Sequence, residues 1–342
     1  MPDAPTRADG ALEAAATANG AGRARRPLRT AGIASIATAV PKRAVPNAEI
    51  AAPLGVDDEW IASRTGIRER RIAGDDETLV ELSTVAAAEA LERASIDPGE
   101  VDLVLVATFT PDDLQPHAAP LVAKRVGAGR AGATDVGAAC SGFLYGLSLA
   151  SAQVEAGRAD SVLVVGADFV SRVTDFTDKR TAGLFGDGTG AAVVTADGPG
   201  EIGPVVLRAD AGGAHFITAT HDERKLRMDG RPTFRAAVAA MSEVTVEVAE
   251  LAGLGLDEID LFVYHQANGR ILSAVGERLE LPADRVVDCI ERYGNTSAAT
   301  IPLALSEAAA DGRLVPGATV LLGAFGAGFT WAGGVVEWGG VV

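Results

Sequence analysis

Cysteine is scarce in this sequence, and so is positive charge. Only Cys140 and Cys289 occur among 342 residues, which is too few for a disulfide framework. We therefore expect the protein to be located in the reducing cytoplasm. Lysine and arginine number 30 against 46 aspartate and glutamate residues, a formal net charge of −16. Binders of nucleic acid need a basic face for the phosphate backbone. The composition therefore argues against nucleic acid as a partner, and an acidic protein partner needs a local basic patch.

Long apolar runs are missing as well. Every hydrophobic stretch is interrupted well short of the length that crosses a bilayer, so we expect a soluble protein with no membrane partner. Residues 1–28 are rich in Ala, Gly and Arg, and Asp3, Arg7, Asp9 and Glu13 interrupt any signal-peptide core. We interpret this segment as a disordered leader. The chain is 48% hydrophobic, which is enough to build a sizeable core in the remainder.

Strand and helix patterns alternate along the chain, which is typical of an α/β layered fold. Apolar segments predict strands at residues 30–40, 101–107 and 259–264. Amphipathic periodicity predicts helices at 79–94 and 236–252. A helix followed by a buried strand thus occurs in each half of the chain.

The two halves of the chain resemble each other. Three pairs of segments match at offsets of 158 (260 − 102), 155 (312 − 157) and 157 (321 − 164): Asp102 with Asp260, Gly157 with Gly312, and Val164-Val165-Gly166 with Leu321-Leu322-Gly323. Three matches at nearly one offset indicate an internal duplication. We predict two similar α/β halves at residues 29–198 and 199–342.

The duplication also relates two candidate functional residues. Cys140 lies 17 residues before Gly157 (157 − 140), and Asn295 lies 17 residues before Gly312 (312 − 295). We therefore expect Cys140 and Asn295 to occupy equivalent places in the two halves and to face one central site.

Cys140 follows a short strand and a run of small residues, and an apolar helix is predicted at about 141–156. At a helix N-terminus the dipole favours the thiolate, and the small neighbours allow a tight turn that exposes the sulfur. A buried structural cysteine fits the same position, so position alone leaves both interpretations open. Cys289 lies in an apolar run without such a turn, and we interpret it as structural.

Two polar residues of the second half are further candidates. His265 directly follows the predicted strand 259–264, and strand ends are where α/β proteins place residues that contact ligands. It is a candidate acid, base or oxyanion donor. Asn295 lies between a predicted strand and the helix that contains Pro302, where capping the helix is the alternative role.

Neither a metal site nor a phosphate loop is predicted. His117, His215 and His221 lie in loops without spaced partners. The glycine-rich segment 185–190 leads into a strand and lacks the lysine of a P-loop. We interpret it as a turn before that strand.

Four segments together resemble the β-ketoacyl-acyl-carrier-protein synthase III family of condensing enzymes. They are residues 60–70, 137–143 around Cys140, 265–271 around His265, and 294–299 around Asn295. The resemblance extends over about 30–338. It implies the thiolase fold, a five-layered αβαβα sandwich of two duplicated halves, and a homodimer.

The resemblance implies that an acyl-CoA condenses with malonyl-acyl-carrier protein, with loss of carbon dioxide, to start fatty-acid or polyketide synthesis. Cys140 would become acylated while the backbone N–H groups of Cys140 and Ala327 hold the oxyanion. His265 and Asn295 would stabilise the enolate. The resemblance implies no permanently bound cofactor, because CoA and phosphopantetheine-carrier thioesters are the substrates.

The same resemblance assigns substrate and partner contacts. Trp60 and Arg64 would hold the adenine and phosphates of CoA, with Lys179 in place of a more usual arginine, which gives up bidentate geometry. The residues matching the pantetheine tunnel are Gly230, Phe234, Ala267 and Asn268. Those matching the basic patch for the carrier protein are Arg235 and Arg270.

Three alternative functions need a different set of residues. An enzyme that passes the acyl group to another acceptor without condensation has no enolate for Asn295 to stabilise. A non-catalytic subunit that binds the carrier protein has no need of intact Cys140, His265 and Asn295. A cysteine protease has no use for an adenine-stacking Trp60 or a duplicated core.

Overall fold

The computed structural model describes residues 29–342, so the predicted leader at 1–28 lies outside the described residues. In chain order the strands and helices are β1 (Ala31–Ala39), β2 (Ala44–Pro46), α1 (Asn47–Leu54), α2 (Asp58–Thr65), β3 (Glu69–Arg71), α3 (Leu79–Ala94), β4 (Leu103–Ala107), α4 (Ala118–Val126), β5 (Gly132–Val136), α5 (Gly142–Glu155), β6 (Ser161–Phe169), β7 (Asp187–Ala196), β8 (Gly200–Ala209), β9 (Ile217–Ala219), β10 (Leu226–Met228), α6 (Gly230–Ala252), β11 (Leu261–Tyr264), α7 (Gly269–Leu279), α8 (Ile290–Tyr293), α9 (Thr300–Ala310), β12 (Thr319–Gly326) and β13 (Thr330–Trp338). None of the described helices is long and apolar enough to cross a membrane.

Two sheets of the same plan form the centre of the molecule. The first has the order β1-β7-β6-β4-β5, and the second has the order β11-β12-β13-β8. In both sheets the inner strands are parallel and the later ones antiparallel: β4 with β6, and β11 with β12, are parallel pairs. A single parallel bridge between Phe262 and Val286 occupies the place that β5 fills in the first sheet.

Helices cover both sheets and separate them. Helices α3 and α4 pack on the outer face of the first sheet, with Leu91 and Val122 in that core. Helices α5 and α9 lie between the sheets, where Phe143 and Ile301 are buried. Helices α6 and α7 cover the outer face of the second sheet. These layers form the five-layered αβαβα sandwich that was predicted.

The halves are joined by the short connection between β7 and β8. The first sheet uses strands that end at Ala196, and the second begins at Gly200. The predicted boundary between residues 198 and 199 falls in this connection, and the division of the chain at that point stays a prediction.

Most predicted elements are present, with shifted ends. Helix α3 has the predicted bounds, and its N-cap Thr78 forms a capping box with Glu81. The predicted strands 101–107 and 259–264 begin two residues later, because short 3₁₀ turns precede both. Helix α6 begins six residues before the predicted 236. Pro232 is tolerated there because N–H groups of the first turn have no partner within the helix.

The prediction of a turn at 185–190 is wrong, because β7 already begins at Asp187. The glycines of this segment permit close packing of the strand against α9. A Cβ on Gly190 would lie 2.6 Å from Pro302, and one on Gly188 would lie 3.1 Å from Leu303. Glycine in a strand can therefore mark the close approach of another element as well as a turn.

Candidate active site

A cavity of about 620 Å³ is lined by residues from both halves. Twelve of the thirteen residues that the sequence assigned to the site line it: Cys140, His265, Asn295, Ala327, Trp60, Arg64, Lys179, Gly230, Phe234, Ala267, Asn268 and Arg270. The thirteenth, Arg235, is exposed on α6 and does not line the cavity. The structure thus places the three proposed catalytic side chains around one space.

The turn that carries Cys140 is held by hydroxyl groups. Ala139–Ser141 form a 3₁₀ turn, and Ala139 has a φ of 46°. The Ser141 hydroxyl donates to the Ala138 carbonyl at 2.7 Å and lies 2.8 Å from the Thr330 hydroxyl. Helix α5 follows at Gly142. Cys140 therefore sits at a helix N-terminus, as the sequence predicted.

Burial acts against the helix dipole at this cysteine. It is the main effect that raises the pKa of Cys140 to about 12, and the nearby charge of Asp168 acts in the same direction. The Ser297 side chain lowers the pKa by a smaller amount. Cys140 is therefore a neutral thiol at physiological pH, and a nucleophilic role would require it to lose its proton.

The end of β12 approaches the Cys140 turn closely. A Cβ on Gly326 would lie 2.8 Å from the backbone nitrogen of Cys140 and 3.1 Å from the Ala138 carbonyl oxygen. Only a glycine permits this approach. It places Ala327, the next residue, at the same cavity as Cys140, where its N–H is a candidate second donor to an oxyanion.

His265 follows β11 and is almost completely buried. Its backbone N–H donates to the Gly323 carbonyl at 2.8 Å, and its ring lies edge-on to Phe325 with centroids 5.5 Å apart. Burial lowers the pKa of His265 to about 3, and its Nδ1 atom has no hydrogen-bond partner among the described residues. A neutral imidazole in this position can donate a hydrogen bond to a developing negative charge.

Asn295 is oriented through both its backbone and its side chain. Its N–H donates to the Leu184 carbonyl, and its carbonyl accepts from Gly186, both at 3.0 Å. Its Oδ1 accepts from the Ser297 N–H at 2.9 Å, whereas its Nδ2 has only a 3.5 Å contact with the Ala267 carbonyl. The amide nitrogen is thus the atom available to a substrate. The preceding element is helix α8, not the predicted strand.

The predicted equivalence of Cys140 and Asn295 is wrong. The 3₁₀ turn Ala139–Ser141 corresponds to Ser297–Ala299 at an offset of 158 (297 − 139), and each turn begins at a residue of positive φ. The counterpart of Cys140 is therefore Ala298, and Asn295 lies three residues earlier. The offset falls to 155 at the later glycine pair because α9 has 11 residues and α5 has 14.

The cavity mouth joins α2 and α7. The Arg64 guanidinium lies 4.3 Å from the centroid of the Trp60 ring, and the Asn268 side chain donates to the Arg64 carbonyl at 3.2 Å. Arg270 donates to the Ser63 carbonyl at 2.9 Å. A flat aromatic face with a cation beside it suits a nucleotide.

Lys179 and Arg180 are neighbouring cations that line the same cavity, and of the two only Lys179 is unpaired within the described residues. The neighbouring Arg180 is paired with Asp178 through bonds of 2.7 to 3.1 Å. Lys179 is exposed and has no ion-pair or hydrogen-bond partner in the part of the chain that the structure describes. It can therefore meet a phosphate without first breaking a pair.

Sequence reasoning missed Asp168 and Ser297, both fully or almost fully buried. Asp168 lies at the end of β6, and burial raises its pKa to about 6. The sequence did contain a signal for Asp168. A single carboxylate near the end of an otherwise apolar buried strand needs hydrogen-bond donors around it. The apolar wall of the cavity was also missed, including Phe109, Ile217 and Leu226.

No group of three or more potential metal-binding side chains occurs within residues 29–342.

Comparison with known proteins matches both halves of the chain. The family model described as 3-oxoacyl-[acyl-carrier-protein] synthase III matches residues 134–211, and the model of its C-terminal part matches residues 249–338. The β-ketoacyl-[acyl-carrier-protein] synthase III of Rhizorhabdus wittichii is 44% identical over 319 residues, which cover 91% of this chain and 100% of that protein.

Solved structures agree with these matches. The β-ketoacyl-[acyl-carrier-protein] synthase III of Thermus thermophilus has 46% identity and a TM-score of 0.86, covering 90% of this chain and 99% of that one. The priming β-ketosynthase of the R1128 polyketide pathway has 38% identity and a TM-score of 0.88, covering 93% of this chain and 99% of that one.

Proposed function

This chain belongs to the 3-oxoacyl-[acyl-carrier-protein] synthase III family, and we propose that its cavity condenses an acyl-CoA with malonyl-acyl-carrier protein. Its five-layered sandwich is the thiolase fold of these enzymes. The observation that carries the proposal is the convergence of Cys140, His265 and Asn295 on one cavity, which Trp60 and Lys179 also line. A nucleophile and two hydrogen-bond donors are what the two half-reactions need.

In the first half-reaction the sulfur of Cys140 attacks the thioester carbonyl of acyl-CoA. The N–H groups of Cys140 and Ala327 would hold the oxyanion, because Gly326 brings the two segments together. The bond to CoA sulfur then breaks, and the leaving thiolate takes up the proton that the neutral Cys140 thiol releases. The product is an acyl-enzyme.

In the second half-reaction the malonyl thioester replaces CoA. His265 and the Nδ2 atom of Asn295 would donate to its thioester oxygen while carbon dioxide leaves. The resulting carbanion attacks the acyl carbon on Cys140 and expels the cysteine sulfur as a thiolate, which takes up a proton from water and returns to the neutral thiol. Loss of one such donor typically lowers the rate by about 100- to 1000-fold.

The substrate contacts follow the same plan. We assign Trp60, Arg64 and Lys179 to the nucleotide end of CoA, since they supply an aromatic face and free positive charge at the mouth. The pantetheine arm would run past Gly230, Phe234, Ala267 and Asn268. Arg270 at the mouth and the exposed Arg235 would meet the acidic carrier protein. Both thioesters are substrates, and no permanently bound cofactor belongs to the proposal.

A homodimer in the cytoplasm completes the proposal. Strand β5 is the outer strand of the first sheet and pairs only with β4 among the described strands, so a second copy could extend the sheet there. Light scattering is expected to give twice the monomer mass. A reducing compartment suits the free thiols of Cys140 and Cys289.

The product could enter either fatty-acid or polyketide synthesis. Relatives named β-ketoacyl-acyl-carrier-protein synthase III favour the start of fatty-acid synthesis. The 38% identity to a priming β-ketosynthase of polyketide biosynthesis favours the alternative. The preferred acyl starter, measured with a series of acyl-CoAs, separates the two.

Mass spectrometry of the intact protein tests the proposed function. Acyl-CoA should add one acyl group to the wild-type protein and to Cys289→Ser, and none to Cys140→Ser. Malonyl-carrier protein should then discharge the adduct as β-ketoacyl product with one carbon dioxide. An adduct that passes to another acceptor without carbon dioxide contradicts condensation, and the absence of any adduct contradicts an enzymatic role.

A further inference from the structure

The ends of the central strands β6 and β12 meet the turns of the opposite half in a reciprocal way. The end of β12, Gly326, lies against the backbone nitrogen of Cys140 in the first half. In the two sheets Leu103 pairs with Val162 and Leu261 pairs with Val320, so β6 corresponds to β12 at an offset of 158 (320 − 162), one more than the sequence match predicted. Asp168 at the end of β6 therefore corresponds to Gly326 (326 − 168). Its Oδ2 accepts a hydrogen bond at 3.2 Å from the backbone N–H of Ala298, the counterpart of Cys140.

The duplicated fold therefore contains two equivalent places for a negative charge beside a backbone N–H. In the first half the place is left open by Gly326 and faces the cavity. In the second half it is filled by a carboxylate of the chain itself. Because N–H groups at such turns favour anions, Asp168 satisfies a group that is reserved for the substrate oxyanion in the other half.

The Asp168 carboxylate is held without a cation. Its Oδ1 accepts from the hydroxyls of Thr108 and Thr110 at 3.0 and 2.9 Å, and from the N–H groups of Phe109 and Thr110 at 2.9 and 3.2 Å. These residues follow β4, and Ala298 N–H supplies the fifth bond from the other half. No ion pair to Asp168 occurs within the described chain. These five hydrogen bonds stabilise the carboxylate, and the nearby Ser297 side chain also lowers its pKa.

One turn links Asp168 to Asn295. Two successive N–H groups of that turn donate to different residues: Ser297 N–H donates to Asn295 Oδ1, and Ala298 N–H donates to Asp168. Ser297 has a φ of 53°, a conformation that costs energy for a non-glycine residue and persists only where neighbours enforce it. Asp168 is the buried group that stabilises this turn, through its hydrogen bond from the Ala298 N–H.

We propose that Asp168 is a positioning residue for the condensation half-reaction, in which it fixes the Ser297–Ala298 turn and thereby orients the Asn295 amide. The inference rests on the proposed function. It predicts that disturbing Asp168 affects decarboxylation and condensation, which need Asn295, more than the acylation of Cys140.

The test measures the two half-reactions separately in Asp168→Asn. Acylation from acyl-CoA is expected to stay at the wild-type rate or to rise, because asparagine removes a charge that raises the pKa of the Cys140 thiol. Condensation by the pre-acylated enzyme is expected to fall about 10- to 100-fold, as for other misplaced catalytic groups. Asp187→Asn is the matched control, because Asp187 is also fully buried but accepts from Ala73 and Ser171. Both of its half-reactions should stay within about threefold.

A double-mutant cycle distinguishes positioning from a general structural role. If Asp168 acts through Asn295, adding Asp168→Asn to Asn295→Ala should lower condensation by less than about threefold further. Equal losses in both half-reactions of Asp168→Asn, or fully additive effects in the cycle, would overturn the proposal.

A second variant and the wild-type result distinguish failure of this inference from misfolding and from failure of the proposed function. If the melting curve shows that Asp168→Asn does not fold, Thr108→Val removes one hydroxyl donor from the same carboxylate and should lower condensation alone, by about threefold to tenfold. An equal loss of acylation in that variant contradicts the inference. A wild-type protein that forms no acyl-enzyme contradicts the proposed function instead, so the two failures are distinguishable.

Discussion

At the residue scale, Cys140 is subject to two opposing effects. The helix N-terminus favours a thiolate by an amount on the order of 1 kcal/mol, whereas burial and the charge of Asp168 raise the thiol pKa to about 12. Three pKa units correspond to roughly 4 kcal/mol, so burial is the larger effect. In the proposed mechanism the thiolate is therefore generated only during the reaction.

Alkylation by iodoacetamide measures this balance. We expect the rate constant for Cys140 to rise about tenfold for each pH unit between pH 6 and pH 10, without a plateau, because the thiolate fraction stays small throughout. Cys140→Ser should remain unlabelled, since Cys289 is buried. A plateau with a midpoint near pH 7 or 8 contradicts a neutral resting thiol.

His265 links the pH dependence of stability to the site. Burial lowers its pKa to about 3 from 6.5, so the unfolded chain takes up this proton first as the pH falls. The stability that neutral His265 contributes is present above pH 6.5 and is lost as the pH falls toward 3. Between pH 7 and pH 5 the loss is about 2 kcal/mol.

Chemical denaturation of wild type and His265→Gln at several pH values checks this linkage. The free energy of unfolding of the wild type should fall more steeply from pH 7 to pH 5 than that of the variant, by about 2 kcal/mol. Parallel curves for the two proteins would mean that the pKa of His265 is the same in the folded and the unfolded chain.

The residue scale is also where sequence reasoning was strongest and weakest. Cys140, His265 and Asn295 were predicted because each lies in a specific motif, and the structure brings all three to one cavity. Asp168 was overlooked although a lone carboxylate in an apolar strand is a sequence signal, and its contact with Ala298, 130 residues away, was not predictable. A pairing across two halves cannot be inferred from spacing within one half.

At the element scale, close approach between backbone segments determines where the catalytic groups lie. Gly326 at the end of β12 and Gly190 in β7 have no room for a side chain. Helix α3 was predicted with its observed ends because its capping signals are local. Strand β7 was misjudged because its glycines are explained only by α9, which packs on it from another part of the chain.

Gly326→Ala tests the approach of β12 to the Cys140 turn. The added Cβ would lie 2.8 Å from Cys140 N, so the turn or the strand end must shift, and the two oxyanion donors separate. We expect acylation of Cys140 to fall about 100-fold. Gly276→Ala on α7, where a Cβ meets nothing within 4 Å, should acylate at the wild-type rate.

At the scale of the whole molecule, the duplication provides two similar halves with different tasks. In the proposed mechanism the first half contributes the nucleophile Cys140 and the second contributes His265 and Asn295. All three line one cavity, so the site exists only where the halves meet. The fold class and the duplication were predictable from alternating elements and matched segments. The three-residue difference between α5 and α9 was not, and it led to the wrong pairing of Cys140 with Asn295.

The measurement that most directly tests the central claim is a time course of acylation and carbon dioxide release in wild type and Asn295→Ala. Both proteins should acylate Cys140 at similar rates, because in the proposed mechanism Asn295 serves only the second half-reaction. With malonyl-carrier protein, the wild type should release one carbon dioxide per β-ketoacyl product, and Asn295→Ala should retain its acyl group and react at least about 100-fold more slowly. Wild-type rates of carbon dioxide release and condensation in Asn295→Ala would contradict the account.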